Sequence, residues 1–345
     1  MDTARPPRVY LDLNHWYTLG AAMAGHPREP AHVAVLGELQ RLVADGLAEF
    51  PLSSVHYMEL TENPRDEQRN EAARAMATLS RFRTMAPLSV IIREELDLGF
   101  NARFGRPAFP KRVPKFGVGV GFAFNEPGRF SLRGGTDDQL RELERTLGMS
   151  VTQWEAHVNA WAEFVLLAQP PRAVAAQIEG YNPYGARTLA DEHLASFNVM
   201  IETLRTDPDI SQRPLDAIAA RQFTFEFLDQ YTAAYLGAGF TMDRRPFHGA
   251  EALTSFLMSL PSRRVATMIQ FHYLKDITRD WTINDLRDIA ALSAAIPYCD
   301  IVVTDKKAWD VVVNRAHLDS EFRTHVLARL DGLPDLVTRH GNGKP

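Results

Sequence analysis

The stretch that most constrains the fold of this chain is Ile301-Val302-Val303, a short apolar run that ends at Thr304-Asp305. An apolar run without polar alternation is typical of a central strand in a parallel sheet, because such a strand is buried on both faces. In open α/β sheets, ligands bind at the carboxyl edge of the strands. The sequence therefore predicts that Asp305 lies at the functional edge of a parallel sheet.

A helix is predicted directly before this strand, over residues 282–297. Thr282 and Asp285 have the spacing of a capping box, and apolar residues then recur at helical spacing along one face: Ile283, Leu286, Ala290 and Ala294. Pro297 is expected to end the helix. A helix, a tight turn and a strand would return the carboxylate of Asp288 to the edge that also carries Asp305.

Two further acidic residues follow predicted elements near the N-terminus. Val9 to Leu11 forms an apolar strand that ends at Asp12, and Glu59 lies in the second turn of a helix after a strand predicted at Glu49–Leu52. Carboxylates that meet at one sheet edge are the oxygen ligands that Mg²⁺ and Mn²⁺ prefer. The sequence thus predicts a divalent-metal site built from separate elements.

This arrangement resembles the PIN-domain nucleases. In that family an Asp follows strand one, a Glu lies in the helix after strand two, an Asp lies on the helix before strand four, and a Thr/Ser-containing turn is followed by Asp. The matching residues are Asp12, Glu59, Asp288 and Asp305. The resemblance covers roughly residues 8–95 and 280–340. It implies a three-layer α/β fold with a central parallel sheet and a nuclease that uses Mg²⁺ or Mn²⁺.

The chemistry of phosphodiester hydrolysis explains why acids are needed. Both the nucleophile and the ester carry negative charge, and a divalent cation removes that barrier by binding phosphate oxygens and lowering the pKa of a coordinated water. Asp12 and Asp305 are the expected direct ligands of the cation. Glu59 and Asp288 complete its coordination shell directly or through water. Supporting roles are assigned to three neighbours: Asn14, Asp285 and Thr304. Because clustered carboxylates repel one another without metal, at least one should have a raised pKa.

Several of these residues also have a structural interpretation. Asp12 could cap the helix that follows it, Asp285 could cap its own helix, and Asp300 is expected in a turn at the opposite end of the strand. Three aromatic residues beside the acids are expected to pack or hydrogen-bond there, with contact to the substrate as the alternative: His15, Trp16 and His56.

A loop that alternates cations with aromatic rings is predicted within residues 101–135. Such a loop suits a phosphate backbone and unstacked bases, although a solvated loop pinned by its phenylalanines is an equal alternative. The candidate nucleic-acid contacts are Arg103, Arg106, Lys111, Arg112 and Lys115. Lys306 and Lys307 follow Asp305 and are either phosphate contacts or the solvated start of a helix.

The chain divides into a first half of the PIN-like core at 1–95, a mostly α-helical insertion or lid at 96–279, and a second half of the core at 280–340. Further strands are predicted at Ala86–Ile92 and Thr324–Leu327. A helix is expected at Lys306–Arg315, with a loose tail after Val337. The insertion helices are predicted at Asp137–Leu147, Val151–Leu167, Thr188–Leu204, Pro214–Leu236, Ala250–Leu257 and Ser262–Thr278.

Composition limits the function classes. The net charge of −5 argues against a basic coat protein for nucleic acids, but it permits a nuclease whose acidic site binds cations. The sequence contains no 18-residue apolar run and no signal-like N-terminus. It therefore indicates neither a membrane protein nor an exported one, and a cytoplasmic location is expected. The single cysteine, Cys299, is expected to be a packed thiol.

The leading hypothesis is a metal-dependent endoribonuclease of the toxin or defence type, as the resemblance implies. A DNA nuclease of the flap-processing type and a noncatalytic nucleic-acid-binding scaffold are the alternatives. A haloacid-dehalogenase-type phosphatase is excluded because Asn14 occupies the position where a second Asp is required. RNA is expected as partner before DNA, while an antitoxin or immunity partner and an oligomeric assembly are left open.

Overall fold

The computed structural model describes residues 5–128, 130–132, 134–180, 182, 184–241, 247, 249–275 and 281–341. Helices make up most of this part of the chain, and the strands are short. The strands are β1 Val9–Leu11, β2 Arg83–Met85, β3 Phe116–Val118, β4 Ile301–Val303 and β5 His325–Leu327.

The helices of the first 150 residues are α1 Leu13–Met23, α2 Ala31–Ala44, α3 Ser54–Glu62, α4 Asp66–Ser80, α5 Leu88–Phe104, α6 Val120–Phe124 and α7 Asp137–Leu147. The helices that follow up to residue 274 are α8 Val151–Ala168, α9 Arg172–Ala175, α10 Gly185–Thr206, α11 Pro208–Ser211, α12 Pro214–Phe225, α13 Leu228–Gly237, α14 Ala250–Met258 and α15 Pro261–Leu274. The C-terminal helices are α16 Ile283–Tyr298, α17 Lys306–Trp309, a π-helix Asp310–Arg315, α18 Leu318–Phe322 and α19 Leu333–Gly341.

A parallel sheet in the order β1-β4-β5 forms the centre of the molecule. Leu11 pairs with Val303, and Val303 pairs with Leu327, so the three strands end at one edge. This result agrees with the α/β class predicted from the apolar strands. The strand predicted at Glu49–Leu52 was wrong as a regular strand, because this segment forms only isolated parallel bridges, to Arg8 and to Thr84.

Helices cover both faces of this sheet. Val9 and Leu11 pack on one face in a core built with α1, α2, α4 and α19. Tyr10 and Val302 point to the other face and pack in a core with α15, α16 and the π-helix. Since side chains alternate across a strand, burial of both faces explains why neither strand contains a polar residue.

The region from 96 to 279 contributes to the second of these faces. Phe197 of α10, Ile218 of α12 and Ile269 of α15 belong to the same buried cluster as Tyr10 and Val302. The helix α5 runs without interruption across residues 95 and 96. These helices therefore form part of the layer that covers the sheet, as well as a separate aromatic core around Phe100.

Two elements predicted between residues 86 and 236 are wrong. Ala86–Ile92 is not a strand, because the strand is β2 and α5 begins at Leu88 after its N-cap Pro87, with a buried face that includes Ile91 and Phe100. The β-branched residues of this segment fit a helix here because one helical face meets the core, and tertiary packing overrides propensity. The helix predicted at Pro214–Leu236 is two helices, separated where Phe227 enters the core.

The C-terminal region also differs from the prediction in three places. Pro297 lies inside the last turn of α16, where a proline removes a bond from a helix that is already ending. The helix predicted at Lys306–Arg315 is the short α17 followed by the π-helix. The tail predicted to be loose after Val337 continues as α19 to Gly341, because Leu333 and Val337 are buried.

The helix α15 begins at Pro261, one residue before the predicted start at Ser262, and it ends at Leu274. Residues 276–278 of the predicted helix lie outside the described residues, as does the predicted boundary at residues 279 and 280. Within the described ranges, no helix combines the length and apolar character that crossing a bilayer requires.

Candidate metal centre

Asp12 and Asp305 lie side by side where β1 and β4 end. The N–H of Asp12 donates to the carbonyl of Val303 at 2.9 Å, which extends the β1–β4 ladder by one residue beyond Leu11. The Asp305 carboxylate lies near enough to that of Asp12 to raise its pKa. The parallel pairing of two central strands thus brings together residues from opposite ends of the sequence.

Both aspartates also cap helices. Oδ1 of Asp12 accepts a hydrogen bond of 2.6 Å from the N–H of Leu13 at the start of α1. Oδ1 of Asp305 accepts from the N–H groups of Lys307 and Ala308, at 2.6 and 3.0 Å, at the start of α17. The capping and ligand interpretations are therefore compatible, since these bonds fix the orientation of each carboxylate at the sheet edge.

Glu59 and Asp288 reach the same place from two helices. Glu59 lies in the second turn of α3, and Asp288 lies in the second turn of α16. Together with Asp12 and Asp305, their side chains line a cavity of about 370 Å³. The other lining residues are Leu13, Asn14, Tyr17, Glu62, Asn284 and Arg287.

The carboxylates perturb one another strongly. Burial raises the pKa of Glu59 to about 8, and the negative charge of Asp12 adds to this effect. The pKa of Asp12 is also raised, by burial and by the Asp305 carboxylate. For Asp288 the pKa is raised by burial and then by Asp12, Glu59 and Asp305. The expectation of a raised carboxyl pKa in this cluster agrees with all three shifts, since like charges disfavour ionisation.

Two lining residues that the sequence analysis missed form an ion pair. Arg287 is the cation among the described lining residues, and its guanidinium pairs with both carboxylate oxygens of Glu62. The positive charge of Arg287 lowers the pKa of Glu59 and offsets part of the rise. Helical spacing carried a signal for Glu62, because it follows Glu59 by one turn, whereas the position of Arg287 directly before Asp288 gave none.

Two buried histidines support the main chain beside the aspartates. Nε2 of His56 donates to the carbonyl of Leu11 at 2.8 Å, while Nδ1 accepts from the N–H of Ser53. Burial lowers the pKa of His56 to about 4, so the ring is neutral near pH 7. His15 donates through Nε2 to the carbonyl of Thr304 at 3.2 Å. The two rings thus fix the peptide units directly before Asp12 and Asp305.

Three other residues considered in the sequence analysis have structural roles beside or away from the cavity. Asp285 forms the expected capping box with Thr282, and it is not among the described residues that line the cavity. Thr304 is buried and contributes its carbonyl to His15. Asp300 lies before β4 and accepts from the guanidinium of Arg5 and the N–H of Arg8.

The predicted basic loop is not brought to the acidic cavity. Lys115 and Arg112 pair with Glu94, and Lys115 lies 5.2 Å from the ring of Tyr298 at the end of α16. Asp288 precedes Tyr298 by ten residues in α16, a distance of about 15 Å along a helix. Lys115, and with it the Glu94 partner that it shares with Arg112, therefore lies far from the carboxylates along this helix.

The remaining basic candidates differ in position. Arg103 lies over the rings of Phe104 and Phe247, whereas Arg106 and Lys111 are exposed. Lys306 and Lys307 are exposed in α17, directly after Asp305. They are the predicted nucleic-acid contacts that lie next to the carboxylates in the sequence and in the structure.

The four carboxylates do not form a closed ligand set. Among the described residues, no three His, Cys, Asp or Glu side chains lie close enough to one another to bind a metal ion. The donor chemistry nevertheless fits a hard cation, because four carboxylates from separate elements share one cavity and three of them have raised pKa values. Like charges without a cation repel, so binding would require the side chains to move inward.

Comparisons of the chain with protein families, curated proteins and solved structures found no match.

Proposed function

We propose that this protein is a PIN-like nuclease that hydrolyses phosphodiester bonds with Mg²⁺ or Mn²⁺, and that its substrate is RNA. The proposal rests on one observation: four carboxylates, from the ends of β1 and β4 and from α3 and α16, line a single cavity. The helical layers on both faces of the parallel sheet support the three-layer part of the proposal. The resemblance extends the proposal to a toxin or defence enzyme.

Each carboxylate has a distinct role in this proposal. Asp12 and Asp305 are the direct ligands, because their helix-capping bonds fix them at the sheet edge. Glu59 and Asp288 have raised pKa values, so they exchange protons for cations and complete the shell. Bound Mg²⁺ or Mn²⁺ would supply positive charge to the phosphate and a more acidic water. Asn14 lines the cavity and can orient a water or a phosphate oxygen.

A noncatalytic nucleic-acid-binding scaffold is the second candidate. It is favoured by the observation that no three potential ligands among the described residues are close together. This alternative predicts that no divalent cation binds between Asp12 and Asp305, even at millimolar concentration. A DNA nuclease differs from the main proposal only in substrate.

The experiment that tests the proposal compares end-labelled single-stranded RNA and DNA of the same sequence, each incubated with Mg²⁺, Mn²⁺ or EDTA. We expect the wild type to cleave RNA with either metal and Asp12→Asn to be inactive. Asp45→Asn is the matched control, because Asp45 is an exposed carboxylate at the end of α2 and should leave cleavage unchanged. Equal cleavage by wild type and Asp12→Asn would refute the mechanism. Preferential cleavage of DNA would mean that the substrate is DNA. Absence of both cleavage and Mn²⁺ binding would favour the noncatalytic scaffold.

A further inference from the structure

A second cavity, of about 200 Å³, lies on the other side of α16 from the carboxylates. The helix presents Asn284, Arg287 and Asp288 to the acidic cavity, and a different set of residues to this second one: Leu286, Ile289, Ala290 and Ser293. At about 100° per residue these two sets fall on opposite faces of the helix. The second cavity is therefore separated from the proposed nuclease site by the body of α16.

Two buried arginines form the most polar part of its wall. Arg221 of α12 is 5% exposed and Arg263 of α15 is 1% exposed. Both guanidiniums donate to the same carboxylate, that of Glu226, through Nη1 at 2.6 and 3.0 Å respectively. One negative charge thus lies between two positive charges in the protein interior.

The other partners of the two guanidiniums leave part of their donor capacity unused. Arg221 also donates through Nη2 to the carbonyl of His193 and to Oγ of Ser196. The Glu95 carboxylate interacts with Arg263, while its oxygens accept hydrogen bonds from Ser262 and Tyr298. Aromatic rings cover a face of each guanidinium, with Phe197 at 4.6 Å from Arg221 and Phe227 at 5.5 Å from Arg263. A ring face compensates charge only weakly and does not accept the in-plane N–H bonds.

Both arginines also have an unsatisfied donor. The Nε atoms of Arg221 and Arg263 are buried, and neither has a hydrogen-bond partner among the described residues. A buried donor without an acceptor is unfavourable, and more so when the group is charged. Unmet donors on two buried cations next to an open volume are the features of a site that can take an anion as acceptor.

We propose that this cavity binds a small oxyanion, in the form of a phosphate group, beside the Glu226 carboxylate and against Arg221 and Arg263. The planar guanidinium fork matches the geometry of phosphate oxygens, and the anion would supply the missing acceptors after a small rotation of either side chain. Three neutral polar side chains of the wall can add hydrogen bonds: Ser89, Gln270 and Ser293. The volume is below the usual range for drug-sized ligands, which favours free phosphate or the phosphate end of a larger molecule.

The site joins helices that the chain supplies from distant segments. Its wall includes α5, α10, α12, α15 and α16, so a bound anion would connect the region from 96 to 279 to the helix that carries Asp288. The binding proposal does not depend on nuclease activity, because the arginines lie outside the acidic cavity.

Isothermal titration with inorganic phosphate tests the proposal, carried out in EDTA at constant ionic strength so that no metal can recruit the anion to the carboxylates. Saturable binding is expected for the wild type, together with a rise in Tm. Arg221→Gln should weaken binding at least about tenfold, since it removes a charged donor. Ala290→Leu should do the same by filling the cavity while keeping both charges, which guards against an arginine variant that fails to fold. Arg145→Gln is the control, because Arg145 is exposed on α7 and should bind phosphate like the wild type.

A parallel titration with adenosine 5′-monophosphate distinguishes the two sources of the phosphate group. Tighter binding of the nucleotide would identify a phosphomonoester ligand, and tighter binding of inorganic phosphate would identify the free ion. Absence of saturable binding of both by the wild type would overturn the proposal and leave the two arginines and Glu226 as a packing element only. Unchanged binding by Arg221→Gln and Ala290→Leu would overturn it as well, because the anion would then bind elsewhere.

Discussion

The N–H of Asp12 donates a hydrogen bond to the carbonyl of Val303 at 2.9 Å, although nearly the whole sequence lies between these residues. This pairing places Asp305, two residues beyond Val303, where its charge raises the pKa of the Asp12 carboxylate. Each aspartate therefore terminates a strand, caps a helix and faces the acidic cavity at once. These three roles respond differently to substitution.

Substitution of Asp12 by Asn or by Ala should distinguish its role as a helix cap from the role of its negative charge. Asn remains a good N-cap, so Asp12→Asn should retain the fold, while RNA cleavage falls by about 100-fold or more with the loss of a ligand. Asp12→Ala should lose cleavage and also the cap, which is typically worth about 1 kcal/mol. Cleavage assays and urea unfolding measure the two effects. A similar loss of stability in both variants would show that the carboxylate charge, rather than the cap, supports this helix start.

The raised pKa of Glu59 predicts an unusual pH dependence of stability. Its pKa is about 8 in the folded chain and near 4.3 in an unfolded one, so the folded state binds the proton more tightly between these values. The free energy of unfolding should then decrease as the pH rises through this interval. In EDTA, wild type should lose stability relative to Glu59→Gln between pH 5 and 9, and Mn²⁺ should reverse the loss at high pH. A difference between the two proteins that stays constant with pH would contradict a protonated Glu59.

The ion pair between Glu62 and Arg287 provides two charges that should shift the pKa of Glu59 in opposite directions. Arg287 lowers the pKa of Glu59 and Glu62 raises it. Arg287→Gln should therefore raise the pKa of Glu59 further, and Glu62→Gln should lower it. Carbon-13 NMR titration of the Glu59 carboxyl in metal-free protein would measure both shifts. Shifts in the same direction would mean that the substitutions act by rearranging the cavity instead of by charge.

Two glycines in helices should respond oppositely to alanine. A Cβ at Gly20 of α1 would lie 2.7 Å from the carbonyl carbon of Glu71, in the backbone of α4, so Gly20→Ala should destabilise by about 1–3 kcal/mol. A Cβ at Gly37 of α2 has no atom within 4 Å, so Gly37→Ala should stabilise by up to about 1 kcal/mol. Denaturant midpoints would compare the variants. A neutral effect at Gly20 would mean that the two helices separate easily.

The local sequence pattern predicted an element correctly where a single local feature determines its structure. Burial on both faces excludes polar residues from β1 and β4, so their apolar runs predicted both strands. The capping box at Thr282 depends only on residues three positions apart, and it was predicted correctly. Local pattern failed at Ala86–Ile92, because the same β-branched residues fit a strand or a buried helical face. The choice between them depends on which core the segment meets.

The sequence by itself determined which carboxylates end the central strands, because strand ends and helix starts are local features. Only the tertiary structure decided that α3 and α16 bring Glu59 and Asp288 to the same cavity as those aspartates. It also placed Arg287 and Glu62 there, and it paired Lys115 and Arg112 of the predicted basic loop with Glu94 instead. The physical reason is that a pKa depends on burial and on charges a few ångströms away, and those distances are set by packing between elements remote in sequence.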